Sequence, residues 1–302
     1  MAETNGLLNR RSGTNRYRGF ESRPLRSRIR WRRIFGASFF VAPQVAMVSE
    51  DVLAVVYVVA SVTFIVGLKL LSHPRTARRG NAVAAGGMLL AIVATLLLHT
   101  DGGKPIGNLL LIIAAMALGT LIGWVSARRV PMTAMPQMVS LFNGMGGACA
   151  AAIAMLEMLH ASASPFPLEA TASSMIVASA IIGSVSFSGS LIAFAKLQGL
   201  IERSFRFRGQ NVVNSAVLLL AVAIGITIVA GGQTDPVLFG AMITIALAYG
   251  VAFVMPIGGA DMPVVISFLN SCTGMAAAFG GLFYGNHVML TGGIVVGAAG
   301  ML

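Results

Sequence analysis

The sequence predicts an all-α integral membrane protein, a bundle of about nine transmembrane helices. Of its 302 residues, 56% are hydrophobic and only 10% are charged, whereas a soluble domain carries about 25% charged residues. Nine apolar segments follow one another, most of them close to the ~20 residues that cross the hydrocarbon of a bilayer. Short connections separate these segments. The composition therefore excludes a soluble enzyme or a soluble binding module.

Each predicted helix begins and ends at a connection that contains turn residues. Glycine and proline interrupt helices, and they mark connections such as HTDGGKP (99–105), GGQTDP (231–236) and MPIGGADMP (255–263). The ninth segment is the shortest. The predicted helices are 51–71, 82–98, 107–126, 136–159, 172–194, 211–230, 235–256, 262–283 and 287–302.

Lysine and arginine set the predicted orientation. After residue 46, ten basic residues lie at connections on one side of the bundle and only Lys104 lies on the other. Because basic connections stay in the cytoplasm, we expect the N-terminus outside and the C-terminus in the cytoplasm. The ten residues are Lys69, Arg75, Arg78, Arg79, Arg128, Arg129, Lys196, Arg203, Arg206 and Arg208.

Residues 1–46 form an arginine-rich N-terminal extension with ten Arg and two Glu, whereas 47–302 carry eleven basic and eight acidic residues. The extension lacks apolar periodicity and is expected to be disordered. It could be a basic tail for anionic lipid, a transit-like peptide, or sequence upstream of the working protein. An outside position suits ten arginines poorly, so we expect it to be removed or not natively translated, with Met47 as the start of the transmembrane domain 47–302.

Three predicted helices carry small and polar residues at helical spacing on one face. Small faces let helices approach closely, so we expect the three stripes to meet inside the bundle. The stripe on 136–159 holds Ser140, Asn143, Gly147, Ala150, Ala154 and Glu157, that on 172–194 holds Ser179, Gly183, Ser186 and Ser190, and that on 262–283 holds Ser267, Asn270, Gly274, Ala278 and Gly281.

Three side chains of these stripes lie at similar predicted depth. Counted from the cytoplasmic ends, Ser190 is ~9 Å, Asn143 ~10 Å and Asn270 ~13 Å into the bilayer. Polar groups at that depth are functional candidates, and a hydrogen-bonded cluster there could hold water for a proton path. The alternative is that these side chains only hold helices together.

Two carboxylates lie nearer the helix ends. Glu157 is either a proton entry group or a solvated helix end beside His160. Asp261 either caps the following helix or contacts a cytoplasmic domain. All four histidines lie in or beside connections, so none is an obvious intramembrane proton carrier.

The cysteines and the short motifs of the sequence indicate no metal or nucleotide site. Cys149 and Cys272 both fall inside apolar helices and are expected to be small packing residues rather than a disulfide or metal pair. The sequence holds no zinc, haem or iron–sulfur spacing and no glycine-rich nucleotide-binding motif. We therefore expect no metal and no cofactor bound by this chain.

Three segments form long and specific motifs: MTAMPQMVSLFNGMGG (132–147), GSVSFSGSLIAFAKLQG (183–199) and GGADMPVVISFLNSCTGMAAA (258–278). They resemble the beta subunit of the proton-translocating NAD(P) transhydrogenase, and the likeness runs from about residue 47 to 302. The family implies a machine in which hydride passes between NAD(H) and NADP(H), bound by two soluble domains, and is driven by proton flow through a membrane domain. This chain resembles the membrane domain of the beta subunit without the NADP(H)-binding domain, so we expect it to be inactive alone.

The resemblance also suggests roles for single residues. Asn270 matches an asparagine of the family's proton path, and Ser190 matches the serine of the G-S pair in SFSGS. Asp261 matches the aspartate that lies against the NADP(H) domain. Asn143 stands where many members carry the proton-path histidine, a departure that leaves the proton carrier open, since other members place it on other helices or on the companion subunit.

The implied partners are a transhydrogenase alpha subunit, an NADP(H)-binding domain and the lipid bilayer, in a dimer of alpha–beta units in a bacterial inner membrane. No nucleic-acid partner is expected. One alternative is a truncated, catalytically incompetent product or an assembly partner of the same complex. A small-solute transporter is disfavoured because the sequence shows neither an inverted repeat nor broken midplane helices.

Overall fold

The protein, seen in a computed structural model, is mainly helical in the part that the structure describes: residues 38–101, 104–105, 107–164, 168–232 and 235–300. Most of the predicted extension 1–46 lies outside these residues. The helices are α1 (Ser38–Leu71), α2 (Ala77–Leu98), α3 (Leu109–Arg129), α4 (Met135–Ala163), α5 (Ala170–Leu197), α6 (Gln210–Gly231), α7 (Pro236–Val254), α8 (Met262–Phe283) and α9 (His287–Ala299).

Eight of the described helices are long and apolar enough to cross a membrane, and α9 is shorter at 13 residues. The prediction of a helical multi-span bundle is confirmed, while its orientation stays a prediction. The helix ends differ from the predicted ones by several residues, and α1 begins at Ser38 rather than at residue 51, so residues 38–46 of the extension that was expected to be disordered are helical. Helix α2, for example, begins at Ala77 rather than at residue 82, because the arginines of the preceding connection are good helix formers and do not stop a helix.

Short structures join the helices. Thr100–Asp101 pairs antiparallel with Lys104–Pro105 between α2 and α3. A single 3₁₀ turn precedes α4 at Met132–Ala134, and another precedes α8 at Gly259–Asp261. Both helices then start with Met-Pro, where proline is favoured because its missing N–H is not needed in the first turn.

Helix α5 is the centre of the unit Ser49–Leu302. Fourteen of its 28 residues are buried, and it packs against α4, α6, α7 and α8. At the α4–α5 crossing, a Cβ built on Gly147 would lie 2.6 Å from the carbonyl oxygen of Gly183. Only glycine lets the two backbones come so close.

Two further helix pairs also approach closely at glycine residues. Helix α8 packs against α9 through Gly274 and Gly293, where an added Cβ would meet backbone atoms of the opposite helix. Helices α1 and α2 meet at Gly67 and are joined by a 2.7 Å hydrogen bond between the hydroxyls of Tyr57 and Thr95. None of the 21 residues of α3 is buried.

Candidate functional site

The candidate site begins at Asn143, in the first half of α4. The side chain is buried, and its Nδ2 donates to Ser190 Oγ on α5 at 2.9 Å and, more weakly, to Ser186 Oγ at 3.4 Å. Glycine follows at 144, where a Cβ would lie 3.2 Å from that of Ser190. The small residues of α4 thus bring the amide within hydrogen-bond distance of the serines of α5.

Helix α8 contributes a hydroxyl to the same place. Ser186 Oγ lies 2.6 Å from Thr273 Oγ1 and also donates to the carbonyl oxygen of Leu269 at 2.9 Å. On the other flank, Ser140 Oγ donates to the carbonyl oxygen of Ser190 at 2.8 Å. We call Ser140, Asn143, Ser186, Ser190 and Thr273 the amide–hydroxyl cluster. It joins α4, α5 and α8 in the interior of the bundle.

The chemistry of the cluster is that of a relay. Each hydroxyl can donate one hydrogen bond and accept others, and the amide does both. Asn143 Oδ1 is buried and has no hydrogen-bond partner among the described residues, so an acceptor remains for a group that carries a proton. None of the five side chains titrates near neutral pH. The cluster therefore contains several groups that donate and accept hydrogen bonds but no group that stores a proton at neutral pH.

Asn270 lies outside this cluster. It is half-buried on α8, and no hydrogen bond of its side chain occurs among the described residues. Thr273, three residues further along the helix, makes the contacts to α4 and α5 instead. The structure thus brings Asn143 and Ser190 together and leaves Asn270 about one turn away from them.

The reason is the direction of the third stripe. The stripes of α4 and α5 face each other as expected, but that of α8 mainly faces α9. Gly274 packs against Gly297, and Ser267 Oγ donates to the carbonyl oxygen of Gly300 at 2.9 Å. The expectation that all three stripes meet is therefore wrong for α8. Thr273 belongs to a different face, which sequence reasoning missed because a lone threonine in an apolar helix gives little signal.

Glu157 and Asp261 lie at opposite ends of α8. Glu157 is half-buried near the end of α4 and accepts a hydrogen bond of 2.5 Å from the Tyr284 hydroxyl, just beyond α8. Partial burial, and then the hydrogen bond and negative charge of Glu157, raise the pKa of Tyr284. Asp261 is exposed and makes no side-chain cap to α8. Its carboxylate is thus free of the bundle.

Lys196 is a second residue that sequence reasoning missed. In the sequence it served only to set the orientation of the helices. In the structure its side chain is buried in the last turn of α5. Its Nζ donates to the carbonyl oxygens of Met255 at 2.5 Å, Ile257 at 2.7 Å and Val254 at 3.3 Å. A cation at these carbonyls suits the negative end of α7. Lys196 thereby fixes the connection that leads to Asp261.

The four histidines all lie at helix ends or in connections, and all are exposed. Cys149 is exposed on α4, Cys272 is buried on α8, and the two are not joined. No group of three or more possible metal ligands occurs among the described residues.

Comparison with known proteins gives the family. The family model for the NAD(P) transhydrogenase beta subunit matches residues 53–302. Two curated proteins named NAD(P) transhydrogenase subunit beta, one from Rhodospirillum rubrum and one from a strain of that species, are each 37% identical over 251 residues. These residues are 82% of this chain and 53% of each relative, so the chain spans about half the length of the curated relatives it matches. The helical multi-pass fold and this match together show that the chain belongs to the NAD(P) transhydrogenase beta subunit family.

Proposed function

We propose that this chain is the membrane part of a proton-translocating NAD(P) transhydrogenase and that the amide–hydroxyl cluster is part of its proton path. Hydride transfer between NAD(H) and NADP(H) takes place on partner domains, one of them on an alpha subunit. Family membership supports the reaction, and the cluster supports the path. The proposal rests above all on the hydrogen bonds that join Asn143, Ser190, Ser186 and Thr273 across three helices.

The geometry suits a relay between two sides of the membrane. Met135, at the start of α4, is 8 residues from Asn143, or ~12 Å along the helix, and Glu157 is 14 residues further, or ~21 Å. The cluster thus lies between Glu157 at one end and the Asp261 end of α8. A proton that enters at Glu157 passes the interior through hydroxyl groups that accept and donate in turn.

Asn270 keeps a place in this proposal. It lies about one turn of α8 before Thr273, which belongs to the cluster, and before Gly274, which packs against α9. A half-buried amide without a protein partner is available to water or to a side chain of a partner helix. We therefore assign Asn270 to the approach to the cluster rather than to the cluster itself.

The coupling element at the other end is the connection between α7 and α8. Lys196 holds its backbone from within, while Asp261 presents an exposed carboxylate at its far end. An NADP(H)-binding domain that contacts Asp261 would therefore act on a segment hydrogen-bonded directly to α5, the helix that carries Ser186 and Ser190.

Matched serines on α5 test the proton path. Ser186 and Ser179 are both buried, and both donate to a backbone carbonyl of α8, Leu269 and Ala276 respectively. Only Ser186 belongs to the cluster. In inverted membrane vesicles that contain this chain, the alpha subunit and a separately supplied NADP(H) domain, we expect Ser186→Ala to lower reverse transhydrogenation and its proton uptake about tenfold, as for the loss of one or two hydrogen bonds.

The control variant is Ser179→Ala, which should retain most of the activity. Equal losses in the two variants would mean that these serines only join helices. Full activity in both would remove the cluster from the path. Absence of activity with the unaltered chain, even when both partners are supplied, would contradict the proposed function as a whole.

A further inference from the structure

The end of α5 is held from two sides by consecutive residues. The Lys196 side chain donates to the carbonyl oxygens of Met255 and Ile257 in the α7–α8 connection. The carbonyl oxygen of the next residue, Leu197, accepts a 3.1 Å hydrogen bond from Gln137 Nε2 near the start of α4. The end of α5 thus joins the connection that leads to Asp261 with the helix that begins the amide–hydroxyl cluster.

The Leu197 carbonyl needs a donor from outside its own helix. The last carbonyls of a helix have no partner within it. The backbone N–H groups of residues 198–200 donate to the carbonyls of residues 194–196, and none of them donates to that of Leu197. Gln137 therefore completes the C-terminus of α5, as Lys196 completes that of α7.

The start of α4 depends on this bond more than the rest of the helix does. None of the residues 132–139 is buried, and Ser140 is the first buried residue of α4. Of these eight described residues, Gln137 alone makes a side-chain hydrogen bond. It lies three residues before Ser140 and six, or ~9 Å, before Asn143. Gln137 is thus the polar attachment of the first turn of α4 to the bundle.

The bond from Gln137 adds little to stability. The side-chain Oε1 is enclosed and has no hydrogen-bond partner among the described residues. The amide cannot turn around, because its oxygen would then face the Leu197 oxygen. An enclosed oxygen without a partner costs about as much as one hydrogen bond contributes, or more. What the bond supplies is therefore a fixed position of the start of α4 relative to the end of α5.

We propose that Gln137 is a positioning residue that links the α7–α8 connection to the amide–hydroxyl cluster. Apolar packing adds to the link, since Leu197 and Ile257 pack against the same buried residues. A shift of the connection moves the end of α5, and Gln137 passes that shift to the start of α4, the helix that carries Asn143. The link is a property of this chain, whereas its use in coupling an NADP(H)-binding domain to proton movement rests on the proposed function.

A double-mutant cycle in the purified full chain tests the link without any partner. Amide hydrogen exchange is followed by mass spectrometry in residues 255–261 and 132–139. Lys196→Met should speed exchange in both segments, by about fivefold in 132–139, the factor for one net hydrogen bond. Gln137→Met should speed exchange in 132–139 only, and Lys196→Met added to it should still act on 255–261 but change 132–139 no further. Lys196→Gln, which keeps one donor group for the carbonyls, serves if Lys196→Met fails to fold.

The matched control is Asn214→Leu. Asn214 Nδ2 on α6 also donates to a backbone carbonyl of a neighbouring helix, that of Ala252 on α7, at 3.2 Å. With Asn214→Leu in place, Lys196→Met should still speed exchange in 132–139. Gln137→Met should leave the thermal unfolding temperature equal or higher, because it removes an unpartnered oxygen together with the bond. In the assembled complex it should nevertheless lower proton-coupled reverse transhydrogenation about fivefold, again the factor for one hydrogen bond.

Several results would overturn this role. Additive effects of Lys196→Met and Gln137→Met in 132–139 would mean that α4 follows the connection by apolar packing alone. Loss of the 132–139 response in Asn214→Leu as well would mean that any amide bond at this end serves equally. Full activity of Gln137→Met in the complex would remove the residue from coupling. An inactive complex of the unaltered chain would contradict the proposed function, while the exchange cycle would still decide whether the link exists.

Discussion

Replacing Gly147 by alanine should break the amide–hydroxyl cluster without unfolding the chain. A Cβ at 147 would lie 2.6 Å from the Gly183 carbonyl oxygen and 2.8 Å from the Phe187 amide nitrogen. Both are backbone atoms of α5 that cannot swing aside. Relief to an ordinary contact requires the helices to separate by about 0.5 to 0.8 Å.

That separation would also move Asn143, one turn away on α4, from its partners on α5. The bond from Asn143 Nδ2 to Ser190 Oγ, now 2.9 Å, would lengthen to about 3.4–3.7 Å, beyond the usual limit of about 3.2 Å. Overpacking costs about 1–3 kcal/mol, and the higher helix propensity of alanine returns about 1 kcal/mol. The net destabilisation of about 0–2 kcal/mol leaves a folded chain with a disrupted site.

The assay compares proton-coupled reverse transhydrogenation with thermal unfolding in the assembled complex. Gly123→Ala on α3, where an added Cβ meets nothing within 4 Å, is the control and should lose neither activity nor stability. We expect Gly147→Ala to lose activity about tenfold or more, like the loss of the hydrogen bonds themselves. Full activity at unchanged stability would refute the link between helix approach and proton path.

Two further predictions concern the ends of the bundle. Lys196→Met should lower the free energy of unfolding by about 2–4 kcal/mol, since three carbonyls lose a charged donor, and should speed hydrogen exchange in 255–261. The control is Lys69→Met at an exposed lysine, which should change the free energy of unfolding by less than about 0.5 kcal/mol. Equal losses of stability in the two variants would contradict the capping role of Lys196. Because the pKa of Tyr284 is raised in the folded protein, its contribution to stability is complete below the unfolded pKa of about 10 and is lost as pH rises through the folded value. The thermal unfolding temperature should therefore fall more steeply across that alkaline range for the wild type than for Tyr284→Phe. Parallel curves would contradict a raised pKa of Tyr284 in the folded protein.

The helices were predictable because hydrophobicity alone decides which segments cross a bilayer. Most of the predicted spans have a counterpart within a few residues, and the errors fall at ends such as Ala77, where basic residues continue a helix. The facing stripes of α4 and α5 were predictable for a similar reason. Glycine and serine at helical spacing leave only one side on which two backbones can approach.

The partner of each stripe was harder to predict. The stripe of α8 mainly meets α9, which turns Asn270 away and brings Thr273 toward Ser186. Helical periodicity gives a face but not the helix that covers it. The contacts of Lys196 were hidden for another reason. Its acceptors are backbone carbonyls about 60 residues along the chain, and carbonyls carry no sequence signature.

The central position of α5 also affects how the protein is made. Ser186 and Ser179 find their acceptors on α8, 83 and 97 residues later in the chain. At about 5–20 residues per second, the ribosome needs roughly 4–17 s to add the shorter of these stretches. Throughout that interval the Ser179 and Ser186 hydroxyls lack their acceptors on α8, and carbonyls of their own helix are the available substitute. Completion of the core thus awaits the late helix α8, and a chain stalled before it would present the most polar face of α5 to lipid or to the insertion machinery.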